Sequence, residues 1–301
     1  MTIPAPAPEK SEIREPCKVS GMDPLITAEE LHGLVSSNSS NLRILDVRWK
    51  LGRADGRSEY IHRHLPGAVY VDMDTELSEP GRPAHEGRHP LPSLERLQAA
   101  ARRWGLHDGD TVVVYDDAKN TSSARAWWLL RHAGLSNVRV LDGALASWIR
   151  AGYPVETGEV HPTSGTVSLR YGTLQYLTMA DAAEFRQRGT LLDTRASERY
   201  TGESEPYDPR PGHIPGAVNA PTTGNVDEAG HFLAPADLRS RFLQVGVDPE
   251  RPVASYCGSG INGCHSTLAL EIAGFEAVLY PGSFSQWSNN PDRPVVQGDN
   301  P

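Results

Sequence analysis

Four short motifs occur twice along the chain in the same order, and this internal repeat limits the fold more than any other feature of the sequence. Asn41-Leu-Arg-Ile-Leu-Asp-Val-Arg48 returns as Thr190-Leu-Leu-Asp-Thr-Arg195, and His64-Leu-Pro-Gly-Ala-Val69 as His213-Ile-Pro-Gly-Ala-Val218. Val112-Val-Val-Tyr-Asp116 returns as Val253-Ala-Ser-Tyr-Cys257, and Asp142-Gly-Ala-Leu-Ala-Ser-Trp148 as Pro281-Gly-Ser-Phe-Ser-Gln-Trp287. A chain of 301 residues can hold two such units, each with its own core. The repeat divides it into a flexible tail (1–21), a first domain (22–150), a linker rich in Gly, Pro, Thr and Ser (151–172) and a second domain (173–301).

Each half alternates helical and strand patterns, which predicts an α/β fold of two like domains, each a mostly parallel sheet with helices on both faces. Thr27-Ala-Glu-Glu30 is a capping-box start for a helix that buries Leu31, Leu34 and Val35, and Thr178-Met-Ala-Asp181 opens its counterpart less strongly. Ser93 caps a helix carrying Leu94, Leu97, Ala101 and Trp104 on one face, ended by Gly105. Runs such as Val112 to Tyr115 and Val138 to Leu141 have the length of buried strands. Trp127, Trp128, Trp148 and Trp287 read as core residues.

A net charge of -9 without a block of like charges argues against nucleic acid or an anionic membrane as partner. It leaves an anionic small molecule open, because a few arginines can reverse the field inside a pocket. The three cysteines Cys17, Cys257 and Cys264 cannot form a disulfide framework, no apolar run is long enough for a membrane span, and the tail lacks the apolar core of a signal peptide. A reducing, cytoplasmic setting is therefore expected.

The halves part where the third strong strand runs into a loop. In the second half that loop reads Cys257-Gly-Ser-Gly-Ile-Asn-Gly-Cys264 and leads into a helix, while the first half has Asp116 in place of Cys257. A thiol at the C-terminal end of a parallel strand lies where open α/β sheets bind ligands. Glycines let successive amides curl into an anion nest with a helix N-terminus behind it, a setting that favours thiolate over thiol. A packing cysteine would explain neither the glycines nor the helix start. Cys264 and His265 match no zinc spacing, and no metal is expected.

Cys257-Gly-Ser-Gly-Ile-Asn262 resembles the six-residue active-site loop of the rhodanese family, in the form typical of its tandem-domain 3-mercaptopyruvate sulfurtransferases. Asp193-Thr-Arg195, Glu198-Arg-Tyr-Thr-Gly202, Gly212-His-Ile-Pro-Gly-Ala-Val-Asn219 and Tyr280-Pro-Gly-Ser-Phe-Ser-Gln-Trp287 extend the resemblance in order, from about Pro24 to Val296. Asn262 departs from it, standing where the family usually has Thr. The resemblance implies a cofactor-free, two-step sulfur transfer through a persulfide on Cys257, with Asp116 marking a non-catalytic half. It implies a small anionic sulfur donor, 3-mercaptopyruvate or thiosulfate, and cyanide, a thiol or a thioredoxin-like protein as acceptor. Gly258, Gly260, Ile261 and Asn262 would cradle the sulfur, while Arg199 and Arg210 would hold the anion.

Ser259 stands where thiosulfate-preferring members commonly carry Lys, which tilts the donor toward 3-mercaptopyruvate. The same resemblance implies that Ser259 works with His89 and Asp74 of the first domain. Arg195, repeated as Arg48, reads instead as one half of a structural ion pair. The alternatives are thiosulfate to cyanide transfer as the main activity, or a persulfide carrier or regulatory module with little turnover. A Cys-x5-Arg phosphatase fails because Gly263 occupies the position of the required arginine.

Overall fold

A computed structural model describes residues 23–52 and 56–301, so the expected tail and Cys17 lie outside the described residues. The first domain runs β1 (Leu25–Ile26), α1 (Ala28–Ser36), β2 (Leu42–Asp46), α2 (Arg57–His62), β3 (Val69–Tyr70), α3 (Leu94–Arg103), β4 (Thr111–Tyr115), α4 (Ser123–His132), β5 (Val138–Leu141) and α5 (Ala144–Arg150). The second runs α6 (Met179–Glu184), β6 (Thr190–Asp193), α7 (Ser197–Thr201), β7 (Ala217–Asn219), α8 (Pro235–Gln244), β8 (Val253–Tyr256), α9 (Ile261–Ile272), β9 (Ala277–Leu279) and α10 (Ser283–Ser288). Both sheets are wholly parallel, in the orders β1-β5-β4-β2-β3 and β7-β6-β8-β9. A single parallel bridge, Tyr176 to Leu279, stands where the second sheet would otherwise have a fifth strand.

The continuous apolar strands are explained by burial on both faces. Along β4, Val112 and Val114 pack into one cluster with α3 and α4, while Val113 and Tyr115 pack into another with Leu31, Leu145 and Trp148. The first of these clusters continues through Leu268 and Leu270 of α9, so α4 and α9 join the two domains through a shared core. Arg131 on α4 also pairs with Glu271 on α9 at 2.7 Å.

Local signals explain the helix starts. Thr27 and Glu30 form the reciprocal capping box, and Thr178 with Asp181 forms one as complete, although the sequence signal there is weaker. Ser93 accepts the Arg96 amide and opens α3, whose Leu97 and Ala101 are buried along with Trp104. Residues 151–172 carry neither helix nor strand, but they do not hang free. Val167 is fully buried and donates to Leu106, and Arg170 donates to Ala133. Among the described residues, no helix is long and apolar enough to cross a membrane.

Candidate active site

The repeated motifs are hydrogen-bonding units that brace the strand ends. Asp46 is held by Arg48 and by the Tyr115 hydroxyl, whose oxygen also accepts the Leu65 amide. Asp193 is held by Arg195 at 2.6 Å, and the Tyr256 hydroxyl accepts the Ile214 amide. His64 and His213 each place Nδ1 2.9 Å from a tyrosine carbonyl, that of Tyr60 and of Tyr200. Arg195 is thus the structural ion-pair partner expected of it, with Glu205 as a second carboxylate at 3.0 Å.

At the end of β8, Cys257 is 4% exposed and its Sγ accepts the Gly260 amide at 3.1 Å. Gly260 sits in the left-handed region at φ 83°, and a Cβ there would come within 2.3 Å of the Pro281 carbonyl oxygen. Glycine is therefore required at this corner. The motif around Trp287 supplies the other wall: Phe284 and Ser285 amides donate to the Cys257 and Gly258 carbonyls at 2.9 and 2.7 Å. The Ser283 hydroxyl accepts the Cys257 amide at 3.1 Å and lies 4.0 Å from Sγ. Ile261 and Asn262 open α9, which starts where the loop ends. Cys264 is fully buried, its thiol donates to the Gly260 carbonyl at 3.2 Å, and burial pushes its pKa up to about 12. It is a packed thiol.

The corresponding loop of the first domain is filled from within. Asp116 is fully buried, and its carboxylate accepts the amides of Ala118, Asn120, Ser122 and Ser123, at 2.8 to 2.9 Å, and the Ser123 hydroxyl.

Arg199 reaches the loop: a Cβ added to Gly258 would meet its Nη1 at 3.2 Å. Its other donors are shared between Glu205 at 2.8 Å and Asp208 at 3.1 Å. The second guanidinium at Gly258 is not Arg210 but Arg88 of the first domain, whose Nη2 would lie 2.9 Å from the same Cβ and which pairs with Asp208. Arg210 instead donates to the carbonyls of Ser288, Arg293, Trp287 and Asn290 at 2.7 to 2.9 Å. These bonds tie the guanidinium to the end of α10 and the chain that follows it. The intervening Glu205 and Asp208 escaped sequence reasoning, although a carboxylate pair between two arginines was visible there.

Asp74 and His89 come together, with Nε2 of His89 3.1 Å from Asp74 Oδ1. Trp49 donates to the same oxygen at 3.1 Å and sets its ring edge-on to the imidazole. The His89 contact holds the Asp74 carboxyl below its usual range, while burial lowers the His89 pKa against the pull of Asp74. With the Nε2 proton directed at Asp74, Nδ1 is left as a buried lone pair without a partner. Ser259 is 8% exposed, and among the described residues no hydrogen bond joins it to His89 or Asp74. The first domain meets the Cys257 loop and its wall through other groups. Arg125 donates to both the His89 and Gly260 carbonyls, and the Arg88 amide donates to Ser285 Oγ at 3.1 Å. Neither link was visible in the sequence.

Comparison with known proteins agrees with this geometry. A profile of the rhodanese-like domain matches residues 27–151 and 178–290. A Mycobacterium tuberculosis protein named "Putative thiosulfate sulfurtransferase SseB" is 45% identical, over 91% of this chain and 97% of that one. Human 3-mercaptopyruvate sulfurtransferase is 36% identical, over 82% and 84%. The crystal structure of SseA from Escherichia coli, a 3-mercaptopyruvate sulfotransferase of rhodanese fold, superposes with a TM-score of 0.78 at 29% identity, covering 87% of this chain and 99% of that one. With two matched domains spanning most of its length, the chain belongs to the rhodanese family.

Proposed function

We propose that this chain is a sulfurtransferase that carries sulfane sulfur as a persulfide on Cys257, taking it from a small anionic donor and passing it to a thiophilic acceptor. The observation that carries the reading is the contrast between the two loops. One is closed on its own carboxylate; the other presents a thiol, bonded to a loop amide, beside two guanidinium groups.

With 3-mercaptopyruvate as donor, the Cys257 thiolate attacks the donor sulfur and the carbon–sulfur bond breaks. The electron pair of that bond stays with the pyruvate carbon as an enolate, and the proton lost from the donor thiol ends on that carbon. The products are Cys257–S–S⁻ and pyruvate, with no external oxidant or reductant. His89, held by Asp74, would relay that proton once a bound donor reaches its unpaired Nδ1, with Ser259 hydrogen-bonding the donor. Arg199 would take the donor carboxylate, and Gly258, Gly260, Ile261 and Asn262 would line the sulfur. A thiol, cyanide or a thioredoxin-like protein would then attack the outer sulfur, in a reducing cytoplasm that keeps Cys257 available.

Thiosulfate is the second donor to consider, because Arg88 of the first domain adds a second guanidinium beside Gly258. Side-by-side kinetics with both donors, and the intact mass of the protein after each, test the reading. Wild-type protein should gain one sulfur on Cys257 and release pyruvate from 3-mercaptopyruvate, and Cys257→Ser should do neither. Full turnover by Cys257→Ser would refute it.

A further inference from the structure

We propose that Arg125, a residue of the non-catalytic domain, is a positioning residue for the Cys257 loop: it holds the Gly260 carbonyl and sets an uncompensated positive charge behind the sulfur. The inference rests on the sulfurtransferase reading above and assigns that reaction a further residue.

Arg125 lies on α4 and is fully buried. Its Nη1 donates to the Gly260 carbonyl at 3.3 Å, and its Nη2 to the His89 and Leu77 carbonyls at 3.0 and 3.3 Å. Its Nε has no partner. Among the described residues it forms no ion pair, whereas Arg88, Arg195 and Arg199, the other guanidinium groups near the loop, are all matched to Asp193, Glu205 or Asp208. A buried cation without a counter-charge is costly, and a methionine or leucine would fill the same volume without that cost. Packing alone does not account for a guanidinium here.

Its placement does. Gly260 offers its amide to Cys257 Sγ and its carbonyl to Arg125, so sulfur and guanidinium bracket one residue. Cys264 donates to that same carbonyl, and the two donors together fix the plane of the peptide that follows. That peptide is trans, so its Ile261 amide is turned away from Arg125. In a poorly solvated interior the charge also acts on an anionic sulfur more strongly than a surface arginine would. The second arm, on the His89 carbonyl, fixes the Asp74–His89 pair to the same guanidinium. One side chain thereby sets the register between the two halves of the site.

The test uses the full chain with Arg125→Met, which removes the charge, and Arg125→Lys, which keeps it but cannot bridge both carbonyls. Alkylation of Cys257, mapped on its own peptide, is followed with neutral iodoacetamide and anionic iodoacetate, together with steady-state kinetics and thermal melting. Arg125→Met should lower the iodoacetate to iodoacetamide rate ratio by about fivefold or more and kcat by about tenfold, with donor KM changed less than about twofold. Arg125→Lys should keep the alkylation ratio and lose about fivefold in kcat. A folded Arg125→Met with wild-type ratio and kcat overturns the proposal, as does wild-type kcat in Arg125→Lys should the methionine variant not fold. Failure of wild-type protein to form a persulfide would refute the sulfurtransferase reading instead, and the alkylation ratio would still report on Arg125.

Discussion

Replacing Gly260 by alanine should damage the site far more than the same change three residues later. An L-residue at φ 83° pays about 1–2 kcal/mol for the left-handed conformation. The new methyl would also lie 2.3 Å from the Pro281 carbonyl oxygen, short of the 3.0 Å that real Cβ contacts respect, so the two backbones must part by roughly 0.7 Å. Overpacking of that kind costs about 1–3 kcal/mol more, giving about 2–5 kcal/mol in total and a melting temperature lower by about 5–15 °C. The same displacement draws the Gly260 amide off Sγ. On the proposed mechanism the reacting sulfur is anionic, and loss of a hydrogen bond to it, worth about 1.5–3 kcal/mol, predicts a fall of about 10- to 150-fold in kcat/KM. Gly263→Ala is the milder control: Gly263 is helical, and its Cβ would press on the end of the Leu279 side chain at 2.9 Å while meeting the Tyr256 Cα and Cys257 N at ordinary contact distances of 3.6 and 3.7 Å. It should melt within a few degrees of wild type, with activity within about twofold, since the helix gain of about 0.5–1 kcal/mol from alanine offsets the small shift asked of Leu279. Calorimetry and steady-state kinetics on the pair decide the matter. If Gly260→Ala behaves like Gly263→Ala, the backbone argument for this corner is wrong.

Arg210→Ala should lower stability by about 2 kcal/mol through its lost carbonyl bonds and leave donor KM within about twofold; a large rise in KM with unchanged melting would return Arg210 to the donor site. His265 is fully buried, and desolvation lowers its pKa to about 3 from 6.5, so the unfolded chain takes up a proton that the folded chain refuses. Stability from this group is therefore present above pH 6.5 and falls by about 1.4 kcal/mol per unit as the pH drops toward 3, or about 2 kcal/mol by pH 5. Urea midpoints between pH 7 and 5 should fall less steeply for His265→Phe than for wild type, and parallel slopes would refute the assignment.

What the sequence revealed best was whatever is built from neighbours in the chain. The Asp-x-Arg pairs, the His-x-Pro-Gly-Ala turns and the glycine loop close their hydrogen bonds within a few residues or one strand crossing, so they recur as readable motifs in both halves. Groups that act only after folding were not legible. Arg125 meets Gly260 across 135 positions and Arg88 meets Asp208 across 120, and nothing local to any of these residues marks the encounter. Arg210 shows the same limit: its place beside the His213 motif suggests an anion site through the family resemblance, while its four carbonyl partners at and beyond the end of α10 are encoded by no pattern. The Asp74–His89 pair was visible only through the family resemblance, and Trp49, which buttresses it, was not seen at all.

Asp116 acquires a further meaning when its reach is counted in bonds. Its oxygens lie two bonds beyond Cβ and collect four amides there, whereas the thiol sulfur of Cys257 lies one bond beyond Cβ and collects one. The outer sulfur of a Cys257 persulfide would also lie two bonds out, with a negative charge. On the proposed chemistry, the silent half carries a permanent cast of the loaded state, and the active half completes the same figure only while it holds sulfur. Cargo would then act as a structural part, stiffening the loop when present and slackening it once the acceptor has taken it away.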